Sequence, residues 1–268
     1  MVFMDQSILP VALPVIGKDF GANNTSLQWT VNSYLLAMSV FILIAGKISD
    51  IVGHRKAYLT GIIFFAFFSL LCGMSTNVEY LIGARALQGA GAAIMFPAQT
   101  SLVALSFPKE SRGRATGIMV SIGSISLVLG PLIGGYFTEV LSWRWIFWIN
   151  LPIALLGIIL TLALLNPIQG NKGKIDFIGF FYFAIFSTCI TLFFMQAHEW
   201  GWTSSKLITT GVLFLVFLVL LLRRERKLSH PFMELSFFKR PLQTHPTCLL
   251  YTSPSPRDRT RSRMPSSA

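Results

Sequence analysis

Asp5 and Arg85 are the two ionisable residues that stand deep inside apolar runs of this chain. A charge in hydrocarbon is costly, so such residues are functional candidates by default. A carboxylate removed from water holds its proton more tightly, which is the chemistry of a group that takes up and releases protons. Arg85 lies in Gly83-Ala84-Arg85-Ala86-Leu87-Gln88-Gly89-Ala90-Gly91, where small residues bring a neighbouring backbone close. A lone arginine there needs an acceptor and can bias a nearby acid. We pair it with Asp5. The plainer alternatives are an Asp5 close to a membrane interface and an Arg85 bonded to carbonyls or to Gln88. Tyr34, Asn32, Gln88 and Gln99 could contact a small-molecule substrate, or could satisfy one another between helices. His54, His198, His230 and His245 are scattered in or near the links, and no nucleophile–base set, metal-ligand cluster or phosphate loop occurs. The sequence therefore reads as no enzyme, with no metal and no cofactor.

The elements that must carry these residues are membrane helices. The chain is 53% hydrophobic and only 12% charged, about half the charge of a soluble domain. A net charge of +11 would suit nucleic acid, but the charges fall between apolar runs and in the last residues, which excludes it. Cys72, Cys189 and Cys248 show no paired spacing, so no disulfide framework follows. The first residues lack a basic n-region and carry Asp5 where a signal peptide has its apolar core.

A helix needs about 20 apolar residues to cross a bilayer. Eight segments meet or approach that length: 1–16, 28–46, 57–75, 79–103, 114–137, 145–165, 177–197 and 206–222. The first is short, and we expect it to be the end of a helix whose beginning is missing. One set of alternate links carries Lys47, Arg55, Lys56, Lys109, Arg112, Arg114, Lys172, Lys174, Arg223, Arg224, Arg226 and Lys227. The other set carries Lys18, Arg144 and Lys206. The positive-inside rule puts the first set, and both ends of the helix array, in the cytoplasm. Gly46 to Lys56 is the shortest basic link, with Gly46 and Gly53 to turn the chain and Asp50 free to cap a helix or pair with Arg55. Gly130 and Gly134 form a Gly-x-x-x-Gly face for close packing, and Pro131 between them should bend the helix.

Beyond Lys227 the character changes. Residues 229–241 are amphipathic and lead toward further helix, whereas 242–268 are rich in Ser, Pro and Arg and cannot bury a core. Such a tail could be drawn to anionic lipid. It also resembles translated adapter sequence, and we expect it to lie outside the natural gene.

Gly46, Ser49, Asp50, Gly53, Arg55 and Lys56 resemble the signature loop of the major facilitator superfamily, Gly-x-Leu-Ala-Asp-Arg-x-Gly-Arg-Arg, with departures at Ile51 and His54. Arg85, Gln88 and Gly89 match its Arg-x-x-Gln-Gly motif, and the Gly130-Pro131 to Gly134-Gly135 stretch resembles the motif that marks its antiporters. Ser126 stands where the fullest form of that motif has Gly. Asp5, Ile8, Val11, Ala12, Leu13 and Pro14 resemble the first-helix motif of the fourteen-helix drug:proton antiporters, with Pro10 in place of a common Asn. Trp29 and Tyr34, and Trp143-Arg144 with Phe147, Ile149, Asn150 and Pro152, are similar to two further signatures of that family. We read the tryptophans of the second stretch as an interfacial belt, Trp29 as belt and Tyr34 as pocket.

The resemblance implies an all-α polytopic membrane protein: a six-helix amino-terminal transporter domain, residues 1–165, and two linker helices within 166–228. A carboxy-terminal half would be the missing partner, so this chain alone would not move substrate. It also implies proton-coupled efflux of small amphipathic or cationic compounds across the plasma membrane, energised by the proton gradient. In that reading Asp5 accepts the proton or cation and Arg85 is its electrostatic partner. Gly46, Asp50, Gly53, Arg55 and Lys56 form a cytoplasmic latch, and Gly130, Pro131, Gly134 and Gly135 a packed hinge at the domain interface. The rival readings are a sugar, amino-acid or siderophore symporter or uniporter, and a non-transporting membrane half-module.

Overall fold

The computed structural model describes residues 1–166, 170 and 176–225, and all regular structure within them is helical. In chain order the helices are α1 (Val2–Phe20), α2 (Asn24–Val52), α3 (His54–Gly73), α4 (Val78–Ser106), α5 (Arg112–Tyr136), α6 (Trp145–Trp148), α7 (Asn150–Leu164), α8 (Phe177–Trp200) and α9 (Ser205–Glu225). A π-helical turn, Phe137–Leu141, continues α5. The sixth expected segment is thus interrupted at Ile149, and α6 and α7 together make one span. Among the described residues seven segments are long and apolar enough to cross a membrane. Helix α1, which carries Asp5, Lys18 and Asp19, is not one of them. The readings for 229–241 and 242–268 lie outside the described residues.

Local chemistry sets the boundaries. Asn23 accepts from the Ser26 N–H at 2.8 Å and Asn77 from the Tyr80 N–H at 2.7 Å, satisfying donors that an α-helix start leaves open. Gly21 closes α1 in the left-handed region. The link Gly46–Lys56, expected as a loop, is helical except at one residue: α2 runs through Val52 and α3 starts at His54. Gly53, at φ 98°, makes the whole turn, in a region where a side chain would be strained. Its N–H donates to Ser49 O at 3.0 Å and its carbonyl accepts from the Ala57 N–H at 3.0 Å. With the turn so short, the polar residues around it ride on helices.

The bundle centres on α4, which packs along α2 and α3. Gly89 lies against the Tyr34 carbonyl and Gly91 against the Phe65 backbone, so small residues bring these axes together. Helix α1 buries Met4, Asp5, Ile8, Leu9, Ala12 and Ile16. Pro10 and Pro14 fall on its exposed side, and the helix runs through both. Helix α5 touches the rest mainly through α1. A Cβ on Gly134 would meet Ile8 Cγ1 at 2.9 Å, and one on Gly130 would strike Ser7 Oγ. These glycines were expected at the interface between transporter halves. They instead seat α5 on α1, inside the bundle. Pro131 is exposed, and a Cβ on Gly135 would meet nothing within 4 Å.

One end of the bundle is clasped by the Trp143-Arg144 pair. Trp143 Nε1 donates to Asp19 Oδ2 at 2.9 Å and Arg144 Nη1 reaches the same oxygen at 3.2 Å. Trp143 is buried and does not face the membrane, whereas Trp145 is exposed; the expected belt is thus divided between core and surface. Helices α8 and α9 form an antiparallel hairpin that lies on α2, with Phe180 against Phe41. At the hairpin's open end Arg224 donates to both oxygens of Asp176, at 3.0 and 2.8 Å.

Gly130→Ala should cost about 1–3 kcal/mol, as an overpacked contact does. Gly135→Ala, at an open position, should be neutral in the same detergent-unfolding measurement. The Asp176 carboxyl is held below the usual carboxylate range chiefly by its hydrogen bond from Arg224. Its contribution to stability is therefore complete above about pH 4 and is lost as pH falls through the lower folded value. Asp176→Asn should remove that acid limb from the pH dependence of hairpin melting while leaving the bundle's own transition in place.

Candidate functional site

The structure brings Asp5 and Arg85 together. Arg85 Nη1 lies 2.6 Å from Asp5 Oδ2, and both side chains are shut off from solvent. Asp5 sits on the buried face of α1 one turn before Ile8 and Leu9, and Arg85 enters from α4, where Ala84 and Gly89 leave it room. Breaking such a pair on one side leaves a bare buried charge, so each residue depends on the other.

The rest of the shell completes both. Arg85 Nη1 also donates to Gln88 Oε1 at 2.7 Å, and Nε donates to the Thr30 carbonyl on α2 at 3.1 Å. Its guanidinium carbon stands 4.2 Å from the centre of the Tyr34 ring, a cation–π distance. The other carboxylate oxygen, Asp5 Oδ1, accepts from Gln88 Nε2 at 3.2 Å and from Asn150 Nδ2 at 3.3 Å. Asn150 is the first residue of α7 and also donates to Ser69 Oγ on α3 at 3.1 Å. Ser69 donates onward to the Phe147 carbonyl at 2.8 Å. Cys72 Sγ lies 3.6 Å from Gln88 Oε1. Donors from α4 and α7 thus meet on a single carboxylate of α1, and α2 and α3 support those donors through the Thr30 carbonyl, the Tyr34 ring and Ser69. All the groups that touch it are donors, which fits an acid in its ionised form.

The other sequence-selected residues divide. Gln88 belongs to the centre. Tyr34, read as a pocket residue, is fully buried and forms the floor under Arg85. Asn32 is half-buried on α2, apart from the hydrogen bonds of the centre. Gln99 lies apart, on the wall of a cavity of about 410 Å³ that it shares with Tyr58, Met95, Phe96, Met119 and Ser126. At the Gly53 end, Asp50 is exposed and lies 3.9 Å from the His54 ring nitrogen Nε2. Arg55 donates instead to the Thr161 and Leu162 carbonyls at 3.4 and 3.0 Å, closing the end of α7. That placement suits a cation, because helix carbonyls there lack partners. Gly46 lies inside α2, and Lys56 is exposed at the start of α3. The sequence reading did not select Asn150 or Ser69. Asn150 had a signal, as the polar residue of Trp148-Ile149-Asn150-Leu151; Ser69 had none.

A family model described as Major Facilitator Superfamily matches residues 1–196. The chain belongs to that superfamily. Multidrug resistance protein Stp of Mycobacterium tuberculosis is 34% identical over 241 residues, 89% of this chain and 45% of that protein. Riboflavin transporter RibZ of Clostridioides difficile is 35% identical, with 89% of this chain and 52% of that protein covered. Cephamycin export protein CmcT of Amycolatopsis lactamdurans is 38% identical over 206 residues, 75% of this chain and 42% of that protein. The chain spans about half the length of these curated relatives. A crystal structure of a bacterial homolog to the human lysosomal transporter Spinster, inward-facing and unoccupied, superposes with a TM-score of 0.50 at 17% identity. That likeness covers 80% of this chain and 55% of that one and supports the superfamily fold. With seven apolar spans, this superfamily member is an all-α, multi-pass membrane protein.

Arg85→Ala or Asp5→Ala should each destabilise the bundle by about 3–5 kcal/mol, the cost of orphaning one half of a buried ion pair. The double replacement Asp5→Ala with Arg85→Ala should cost clearly less than the two single changes added. A double-mutant cycle by detergent-induced unfolding in bicelles checks this.

Proposed function

We propose that this chain is the amino-terminal part of a proton-coupled exporter of small amphipathic or cationic compounds, of the fourteen-helix drug:proton antiporter type. The single observation that carries this reading is the buried Asp5–Arg85 pair, in which every group that touches the carboxylate is a donor, drawn from α4 and α7. Adding a proton neutralises it and weakens its hold on Arg85, so the proton changes which contacts tie α1 to α4. That is what coupling a proton to a conformational change requires. The names of Stp and CmcT, a multidrug resistance protein and an export protein, support outward movement. In this reading residues 1–165 form the first transporter domain and α8 and α9 the linker pair, with substrate bound between this half and a second one. The cavity beside Gln99, apolar but for Gln99, Tyr58 and Ser126, is a place where an amphipathic compound could lie.

The orientation follows from the basic links: the Gly53 end of the bundle and both ends of the helix array face the cytoplasm of a plasma membrane. The latch residues then have a concrete task. Arg55 ties α3 to the end of α7, and Gly53 keeps α2 and α3 joined through one turn.

A second reading rests on RibZ, a relative named as a riboflavin transporter: uptake of a metabolite with a proton. Everted vesicles carrying the reading frame of the genomic locus, from a host without its own exporters, separate the two. An acid lumen should drive a lipophilic cationic dye into the vesicles, and Asp5→Asn should reduce that movement to the level of empty vesicles. Dye or metabolite movement in the same direction as the proton would overturn export.

A further inference from the structure

Asn150 is bound to the site in a way that Gln88 is not. Both amides donate to Asp5 Oδ1, Gln88 Nε2 at 3.2 Å and Asn150 Nδ2 at 3.3 Å. The Gln88 carbonyl oxygen is held by Arg85 Nη1 at 2.7 Å, so turning that amide over would break a charge-assisted bond. The Asn150 carbonyl oxygen is buried and has no hydrogen-bond partner among the described residues. A buried, unpaired acceptor costs free energy, and here it sits on a side chain whose other end touches the carboxylate.

The consequence appears when Asp5 takes a proton. The new O–H is a donor and needs an acceptor. Arg85 has none to give, and Gln88 is locked. Asn150 can turn its amide without breaking any bond of its oxygen, and the two bonds its Nδ2 gives up, to Asp5 and Ser69, are replaced by bonds that its oxygen accepts from the same two groups. Turned, Asn150 Oδ1 comes within reach of the protonated Asp5 Oδ1 and of Ser69 Oγ. Ser69 can then redirect its own proton from the Phe147 carbonyl to the same oxygen. The titratable groups around Asp5 are Arg85 from α4, Tyr34 from α2, Cys72 from α3 and, on its own helix, the amino group of Met1. Of these only Arg85 is hydrogen-bonded to Asp5, and it has no acceptor; Tyr34 Oη, also buried without a partner among the described residues, makes no bond to Asp5.

We infer that Asn150 is a positioning residue that reads the protonation of Asp5: its amide donates to the ionised acid, turns to accept from the neutral one, and passes the change to α3 through Ser69. The inference rests on the proposal that Asp5 exchanges protons.

The test is infrared difference spectroscopy of the purified chain in lipid nanodiscs, titrated with acid, with asparagine carbonyls labelled with carbon-13. A protonated carboxyl band, identified by its loss in Asp5→Asn, should rise together with a shift of one labelled amide carbonyl from a free to a hydrogen-bonded frequency. Asn150→Ser should abolish the amide shift while the carboxyl band still titrates, with its midpoint moved. Asn150→Gln, which keeps the amide, should restore an amide shift when glutamine carbonyls are labelled in the same way. A carboxyl band that titrates with no change in any labelled amide overturns the role of Asn150 alone. No Asp5 carboxyl band across the range in which the protein stays folded overturns the proton-exchange reading, and the inference with it.

Discussion

The structure depends on one buried ion pair and on the supply of donors around it. A carboxylate placed among apolar helices is tolerable only while its negative charge is met from every side. The chain meets it with one guanidinium and two amides, drawn from α4 and α7. Packing follows from that demand. Residue 85 must come close to residue 5, so α4 carries Ala84, Gly89 and Gly91 where larger side chains would hold α2 and α3 away. The arginine is in turn supported by a backbone carbonyl of α2 and by the Tyr34 ring. Specificity of arrangement, more than stability, is what such a centre supplies, because a well-packed apolar replacement is often as stable.

Much of this was legible in the sequence, for a definite reason. Membrane spans are long apolar runs, and charges within them are so rare that Asp5 and Arg85 stand out without any structure. Their pairing followed from the need of each for a partner of opposite sign. Asn150 and Ser69 were harder. A single Asn or Ser in an apolar run can bond to its own helix backbone, and nothing in its spacing tells which way it points. Tyr34 misled for a related cause: an aromatic with a polar tip suits a pocket wall and a core floor equally, and only the position of Arg85 decides. The link at Gly53 was read too long because polar residues suggest loop. Here they lie on helices that extend past the apolar span.

The same limit applies to the glycines of α5. Their spacing announced a close helix contact and could not name the partner. The partner is α1, at Ser7 and Ile8, one turn beyond Asp5. The Gly130 and Gly134 face of α5 therefore lies next to the acid.

Helix α1 is fastened at two points about 21 Å apart, judged from fourteen residues at helical rise. At Asp19 it is gripped by Trp143 and Arg144, and at Asp5 by Arg85, Gln88 and Asn150. Between them it rests on the bare backbone of Gly130 and Gly134. Mechanically this is a beam with a pinned end, a plain bearing along its length and a releasable catch at the far end. The apolar face of the helix (Ile8, Leu9, Ala12 and Ile16) packs into the core between the two points, so a tilt about Asp19 would be resisted along the whole length and would be largest at the Asp5 end. The length of the beam then sets the gain: a rotation of a few degrees at the pin becomes a displacement of an ångström or more at the acid.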